Sequence, residues 1–393
     1  MISDRYIEER IRSGLLALAP EHIRGQVLAD TFDQTRRMAQ VSTGHWWRSV
    51  ARRAMPLAVA TGGVAVVLVA IGIVFRGTET LAPPGPVVST IGRVWASDAT
   101  VAATIERAPA DDGHYYWRAV AYDRIERDAL SLSGTTTVVR APGAQVLAGL
   151  AEDVTRPDLR RFTFTVRPGT SAAPIVLSPG TPLFVDRRVS VTTVGRDGYL
   201  GMLAMDNVGP YTATSLVPDA SGGALSATAE LRAAGTNYPP EVASLYTVVA
   251  AGVFGPNLVA LQSEIVRTSS SSAPFDLAER LVEVLRGADY TYDTDVRDID
   301  CGTMSTAECF AATRRGYCEH YAVTMATVLR YLGVPARVVE GFLPGQRSPG
   351  SSTEIIRTLD AHAWVEVYFP GHGWVAFDPT PDPAPASVSP TTP

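Results

Sequence analysis

Three residue types that together can run thiol chemistry stand in patterned settings near the C-terminal end of this 393-residue chain. Cys318 lies within RRGYCEHYAVTMATVLRYL, Arg314 to Leu332. Apolar side chains recur there at Tyr321, Ala322, Met325, Val328, Leu329 and Leu332, the spacing of one buried helical face. Gly333 followed by Pro335 predicts where the helix stops, and Gly316-Tyr317 where it starts. Cys318 then falls in the first turn, where unpaired N–H groups and the positive end of the macrodipole favour an anion. The expectation is a lowered thiol pKa and a partly formed thiolate near neutral pH. A buried, inert cysteine is the competing reading of the same stretch.

The second setting is DAHAWVEVYFPGHGWVAFDPTP, Asp360 to Pro381, which reads as a β-hairpin. In its first arm His362, Trp364, Glu366 and Tyr368 alternate with Ala363, Val365, Val367 and Phe369, so one face is apolar and the other carries functional groups. The second arm alternates Trp374, Ala376 and Asp378 against Val375 and Phe377. A thiol nucleophile needs a base for its proton and a third group that fixes the base's tautomer, roles that Cys318, His362 and Asp378 can fill. Register decides whether they can meet. A four-residue loop, Pro370 to Gly373, would set Asp378 opposite Val365, on the wrong face. A three-residue loop of Pro370, Gly371 and His372 sets it opposite Trp364 and diagonal to His362, with Gly373 taking the kink. Tyr317, Trp364 and Glu366 are the candidate substrate-binding residues beside this set. His320 and His372, near the chemistry but without natural partners, are expected to be structural or solvent-facing.

GYCEHYA, the helix-ending YLGVPARVVEGFLPG and DAHAWVEVYFPGHGWVAFDPTP resemble the core of the transglutaminase-like superfamily, in its bacterial membrane-anchored branch. The likeness covers roughly residues 238 to 381, and YYWRAVAYD, Tyr115 to Asp123, resembles the extracytoplasmic β-region that precedes the core in that branch. The resemblance implies a papain-like α+β fold, a catalytic helix packed on an antiparallel sheet. It also implies acyl chemistry through a thioester: an amide enters, ammonia or an amine leaves, and the acyl group passes to an amine or to water. Cys318, His362 and Asp378 fall on that family's nucleophile, base and orienting acid. The substrate implied is a protein or cell-wall peptide carrying glutamine or other amide groups. A cysteine protease or amidase of the same fold, and a catalytically silent binding module, are the alternatives. The chain departs from the branch in having one apolar stretch before this region and none after it.

Other elements must position these residues. The first 55 residues hold nine arginines against six acidic residues, a net of +3 in a chain of net charge −6, and suggest two short helices. PLAVATGGVAVVLVAIGIVF, residues 56 to 75, is uncharged and matches the roughly 20 residues that cross a bilayer. Arg48, Arg52 and Arg53 before it, with Arg76 alone close behind, predict a cytoplasmic N-terminus and an extracytoplasmic remainder. After a proline-rich linker, short alternating runs predict an all-β domain over residues 96–235. RRFTFTVRPG is the clearest, with Phe162, Phe164 and Val166 on one side and Thr163 and Thr165 on the other. Residues 236–381 form the expected catalytic domain, helical at first and then carrying the hairpin, and 382–393 a disordered proline-rich tail. Tyr115, Tyr116 and Trp117 read as strand core or as a binding patch.

Every basic residue is arginine, so the chain offers no lysine as an acyl acceptor. Cys301, Cys309 and Cys318 have no zinc spacing. In an oxidising compartment the first two could pair and leave Cys318 free. No cofactor or metal motif is present, and an acidic external part without a basic stripe argues against nucleic acid.

Overall fold

Strand alternation divides the side chains of one large antiparallel sheet between two hydrophobic cores. The computed structural model describes residues 87–92, 99–152, 159–218 and 224–381. The expected cytoplasmic segment, the 56–75 apolar stretch and the proline-rich tail lie outside them. No helix among the described residues is long and apolar enough to cross a membrane.

Three strands make a small sheet at the start, β1 (Val88–Thr90), β4 (Arg124–Ile125) and β5 (Ala129–Ser131), in the order β1-β5-β4. A five-stranded sheet combines β2 (Val101–Arg107), β7 (Leu159–Pro168), β8 (Thr181–Val185), β11 (Tyr211–Pro218) and β15 (Thr353–Arg357), ordered β15-β2-β7-β11-β8. The seven-stranded sheet takes β3 (Trp117–Tyr122), β6 (Thr136–Arg140), β9 (Val189–Val194), β10 (Tyr199–Met205), β14 (Ala336–Phe342), β16 (Ala361–Phe369) and β17 (Gly373–Phe377). Its order is β17-β16-β14-β3-β10-β9-β6. A short parallel pair, β12 (Thr291–Tyr292) and β13 (Arg315–Gly316), sets Tyr292 opposite Gly316. Helices α1 (Ala224–Ala233), α2 (Pro240–Tyr246), α3 (Pro256–Thr268), α4 (Pro274–Leu285), α5 (Thr306–Thr313) and α6 (Cys318–Tyr331) complete the order.

The seven-stranded sheet is the middle of three layers. From β10, Leu200, Leu203 and Met205 join Ile105, Phe164 and Val166 of the five-stranded sheet, while Tyr199, Met202 and Ala204 join the helices. From β16, Ala363, Val365, Val367 and Phe369 all pack into the helical core, as the alternation in the sequence predicts. On β7, likewise, Phe162, Phe164 and Val166 are buried and Thr163 is exposed. Helix α6 is enclosed on every side, Cys318 through Arg330 being buried, and stops where Gly333 takes φ +76°.

The sheets also run through the boundary expected near residue 236. Strand β14 pairs with β3 from Val338↔Tyr122 to Phe342↔Trp117, and β15 pairs with β2 from Thr353↔Glu106 to Arg357↔Val101. Strands from both stretches of sequence therefore share hydrogen-bond ladders and hydrophobic cores.

Candidate active site

Cys318 is the first residue of α6, behind Tyr317 in extended conformation. It is the free cysteine among the described residues, because Cys301 and Cys309 form a disulfide with Cα atoms 5.4 Å apart. The sulfur is buried, with no solvent exposure. Burial, joined by the neighbouring Glu319 charge, pushes the thiol pKa well up, although the backbone N–H groups of Ala363 and Glu319 pull the other way. Here the outcome departs from the thiolate expected of a helix N-terminus, since desolvating an anion outweighs the few N–H dipoles turned toward it. A thiol held protonated in this way needs a base before it can act as a nucleophile.

The candidate base is the residue before Ala363. His362 Nε2 lies 2.8 Å from Asp378 Oδ2. The hairpin achieves this with the three-residue loop: Phe369 pairs with Gly373, Tyr368 with Trp374 and Val365 with Phe377. Continuing the ladder sets Asp378 beside Trp364, on the face of His362. Gly371 and Gly373 have φ +79° and +71°, left-handed conformations that a side chain would strain. Burial raises the Asp378 pKa, but hydrogen bonds from His362, the Thr380 amide and the Tyr116 phenol outweigh it and hold the carboxyl below its ordinary range. With Nε2 turned to the carboxylate, Nδ1 is the ring nitrogen left for thiol chemistry.

Two tyrosines join the set that the motifs do not mark. Tyr116, just before β3, donates from its phenol to Asp378 Oδ2 at 2.9 Å. Tyr292 stands against the Cys318 sulfur and amide, and burial holds its phenol protonated. Neither is legible as a site residue, since one lies 262 positions from its partner and the other is an ordinary strand aromatic.

The residues expected to bind substrate are enclosed. Tyr317 is 0% and Trp364 1% exposed, the latter packed with Ala121, Val339 and Tyr116. Glu366 lies four residues along β16 from His362, about 13 Å away at the usual strand rise. Its Oε2 meets Arg337 at 2.8 Å and Arg118 at 3.5 Å. A charged residue on this inner face needs partners more than it needs a ligand. His320 is buried against the Tyr317 ring at 4.4 Å, and burial lowers its pKa to about 4, so it stays neutral. His372 sits half-buried in the hairpin turn.

A cysteine opening a buried helix, beside a histidine–aspartate pair on an antiparallel sheet, makes an α+β arrangement. Residues 260–379 match the family model of the transglutaminase-like superfamily. Over 76 residues the chain is 47% identical to a protein-glutamine gamma-glutamyltransferase of Pseudomonas aeruginosa, covering 19% of this chain and 11% of that protein. Over 112 residues it is 36% identical to the uncharacterized protein YebA of Bacillus subtilis, covering 27% and 15%. The chain thus spans only a small part of these curated relatives. In structure it resembles the periplasmic domain of TgpA from Pseudomonas aeruginosa, with a TM-score of 0.52 and 22% identity over 72% of this chain and 88% of that one. At that identity the likeness speaks for the fold.

Proposed function

We propose that the chain is a thiol acyl-transfer enzyme in which Cys318 is the nucleophile, His362 the base and Asp378 the group that orients it. The observation that carries this reading is the 2.8 Å His362–Asp378 contact beside the free thiol at the start of α6. The sulfur attacks the carbonyl carbon of a carboxamide and a C–S bond forms. The π electrons move to oxygen, and the thiol proton goes to His362 Nδ1. Collapse breaks the C–N bond, and His362 returns the proton to the departing ammonia, leaving a thioester on Cys318. An amine, or water, then attacks the thioester, gives its proton to His362 and frees the thiol.

The name of the Pseudomonas aeruginosa relative, a protein-glutamine gamma-glutamyltransferase, supports glutamine side chains as the amide. The arginine-flanked apolar stretch at 56–75 supports anchoring by one membrane helix with the enzyme outside, where proteins and wall peptides are the available substrates. The likeness to a periplasmic domain points the same way. No step calls for a cofactor. The test is ammonia release from glutamine-containing peptides, with and without an added primary amine, by the purified chain. Cys318→Ala should abolish release without altering the unfolding transition. Full release by that variant would defeat the proposal.

A further inference from the structure

Resting on that reading, we infer that Tyr116 is a positioning residue of the reaction: its phenol fixes Asp378 and, through it, the orientation of the His362 base and the strength of its contact with the carboxylate.

Asp378 is held at both oxygens. Oδ1 accepts the Thr380 N–H at 2.9 Å. Oδ2 meets His362 Nε2 at 2.8 Å and accepts the Tyr116 hydroxyl at 2.9 Å. The Thr380 contact comes from two residues along the same loop, so by itself it lets the loop and carboxylate move together. The phenol comes from the residue before β3, 262 positions away in the sequence, and ties the carboxylate to a different part of the same sheet. A fixed acceptor at Nε2 keeps the imidazole in the Nε2–H tautomer and leaves the Nδ1 lone pair for the thiol.

Tyr116 is itself immobilised. Its ring packs at 5.1 Å from the Trp364 ring and 6.3 Å from His362. The residues leading into it are locked by Asp111, which accepts from the Gly113 amide at 3.0 Å, the Tyr115 hydroxyl at 2.9 Å and Arg160 Nη2 at 2.6 Å. Arg107 Nη1 donates to the Gly113 carbonyl at 2.7 Å. Tyr115 and Tyr116 thus turn opposite ways, one into this lock and the other onto Asp378. A group held in this way costs no reorganisation when charge develops on the imidazole.

The effect has a sign. A carboxylate that already accepts a phenol hydrogen bond is a weaker partner for an imidazolium than one that does not. Losing the phenol therefore strengthens the Asp378–His362 attraction and moves the acid limb of the pH profile up. The titratable groups facing the pair are Tyr116 from the entry to β3 and Cys318 from α6, with Glu319 against Cys318. Besides His362 itself, Tyr116 is the side chain that donates to Asp378 Oδ2 among the described residues.

The experiment is Tyr116→Phe in the full chain, which keeps the ring and removes only the hydroxyl. Two pH profiles are read: kcat/KM for a glutamine peptide, and the rate of Cys318 alkylation by iodoacetamide, which needs no substrate. The acid limb of both should move up by about half a unit to one unit, a fraction of one hydrogen bond to a charged acceptor. Below that limb kcat/KM should fall about three- to tenfold. Tyr115→Phe, in the same loop but bonded to Asp111, should leave the limb where it is, and Tyr116→Phe should add nothing in an Asp378→Asn background. An unmoved acid limb in Tyr116→Phe, with or without a lowered melting temperature, makes Tyr116 structural and overturns the inference. A Cys318 that neither alkylates nor turns over in the wild-type chain overturns instead the thiol reading on which it rests.

Discussion

Glu366→Ala should cost the fold stability and leave substrate affinity unchanged. The Arg337 side chain is completely buried, and both its Nε and Nη2 lie 2.8 Å from Glu366 Oε2. Nη1 is 2.8 Å from Glu152 Oε1, and the guanidinium lies 4.0 Å over the Trp374 ring. Arg118 Nη1 also reaches Glu366, at 3.5 Å, while its Nη2 donates to the Gly180 carbonyl at 2.9 Å. Removing the carboxylate strips Arg118 of its anion and leaves Arg337 one of two. Breaking a buried pair from one side costs about 3 to 5 kcal/mol, and the low end applies because Glu152 remains. At about 2.1 cal/mol/K of unfolding entropy per residue over the described fold, about 3 kcal/mol corresponds to a melting temperature lower by about 5 °C. Circular dichroism on the purified chain measures this, and initial rates against peptide concentration give KM. Glu366→Gln, which keeps an acceptor for Arg337, should fall between wild type and alanine. A melting temperature within a degree of wild type, together with a tenfold rise in KM, would refute the reasoning and return Glu366 to substrate binding.

Reducing the Cys301–Cys309 bridge, which closes a separation of eight residues next to α6, should cost about 2.5 kcal/mol and raise the alkylatable cysteines from one to three. Melting with and without reductant, and mass counting after alkylation, check both. His362→Ala should remove the acceptor for the thiol proton. Because burial raises the Cys318 pKa, ionisation then requires pH above the ordinary thiol range, so alkylation should become negligible at neutral pH and climb only in alkaline solution. Equal alkylation of variant and wild type at pH 7 would mean that the thiolate forms without His362.

The helix opening at Cys318 is legible because its apolar spacing, Gly333 and Pro335 are all local signals. The hairpin is legible for a stricter reason: side chains alternate with period 2, so requiring His362 and Asp378 on one face admits an odd loop or a bulge in the second arm, and the loop has three residues. What escapes the sequence is whatever depends on distant pairing. Nothing in YYWRAVAY says that β3 will lie between β10 and β14, and without that placement Tyr116 has no partner to find. The same holds for Glu366, whose place on the polar face of β16 suggested a ligand until Arg118 and Arg337 arrived from two other strands. The Cys318 pKa went astray because a first-turn position is visible in a sequence and the depth of its burial is not.

Thioester formation on Cys318 is tested by the mass of the chain after mixing with a glutamine-containing peptide and rapid quenching in acid. The expected product is an adduct equal to the peptide minus ammonia, located on the tryptic fragment containing Cys318. It should be released by hydroxylamine and be absent from Cys318→Ala. An unmodified chain that nevertheless liberates ammonia, or an adduct on any other residue, would contradict it.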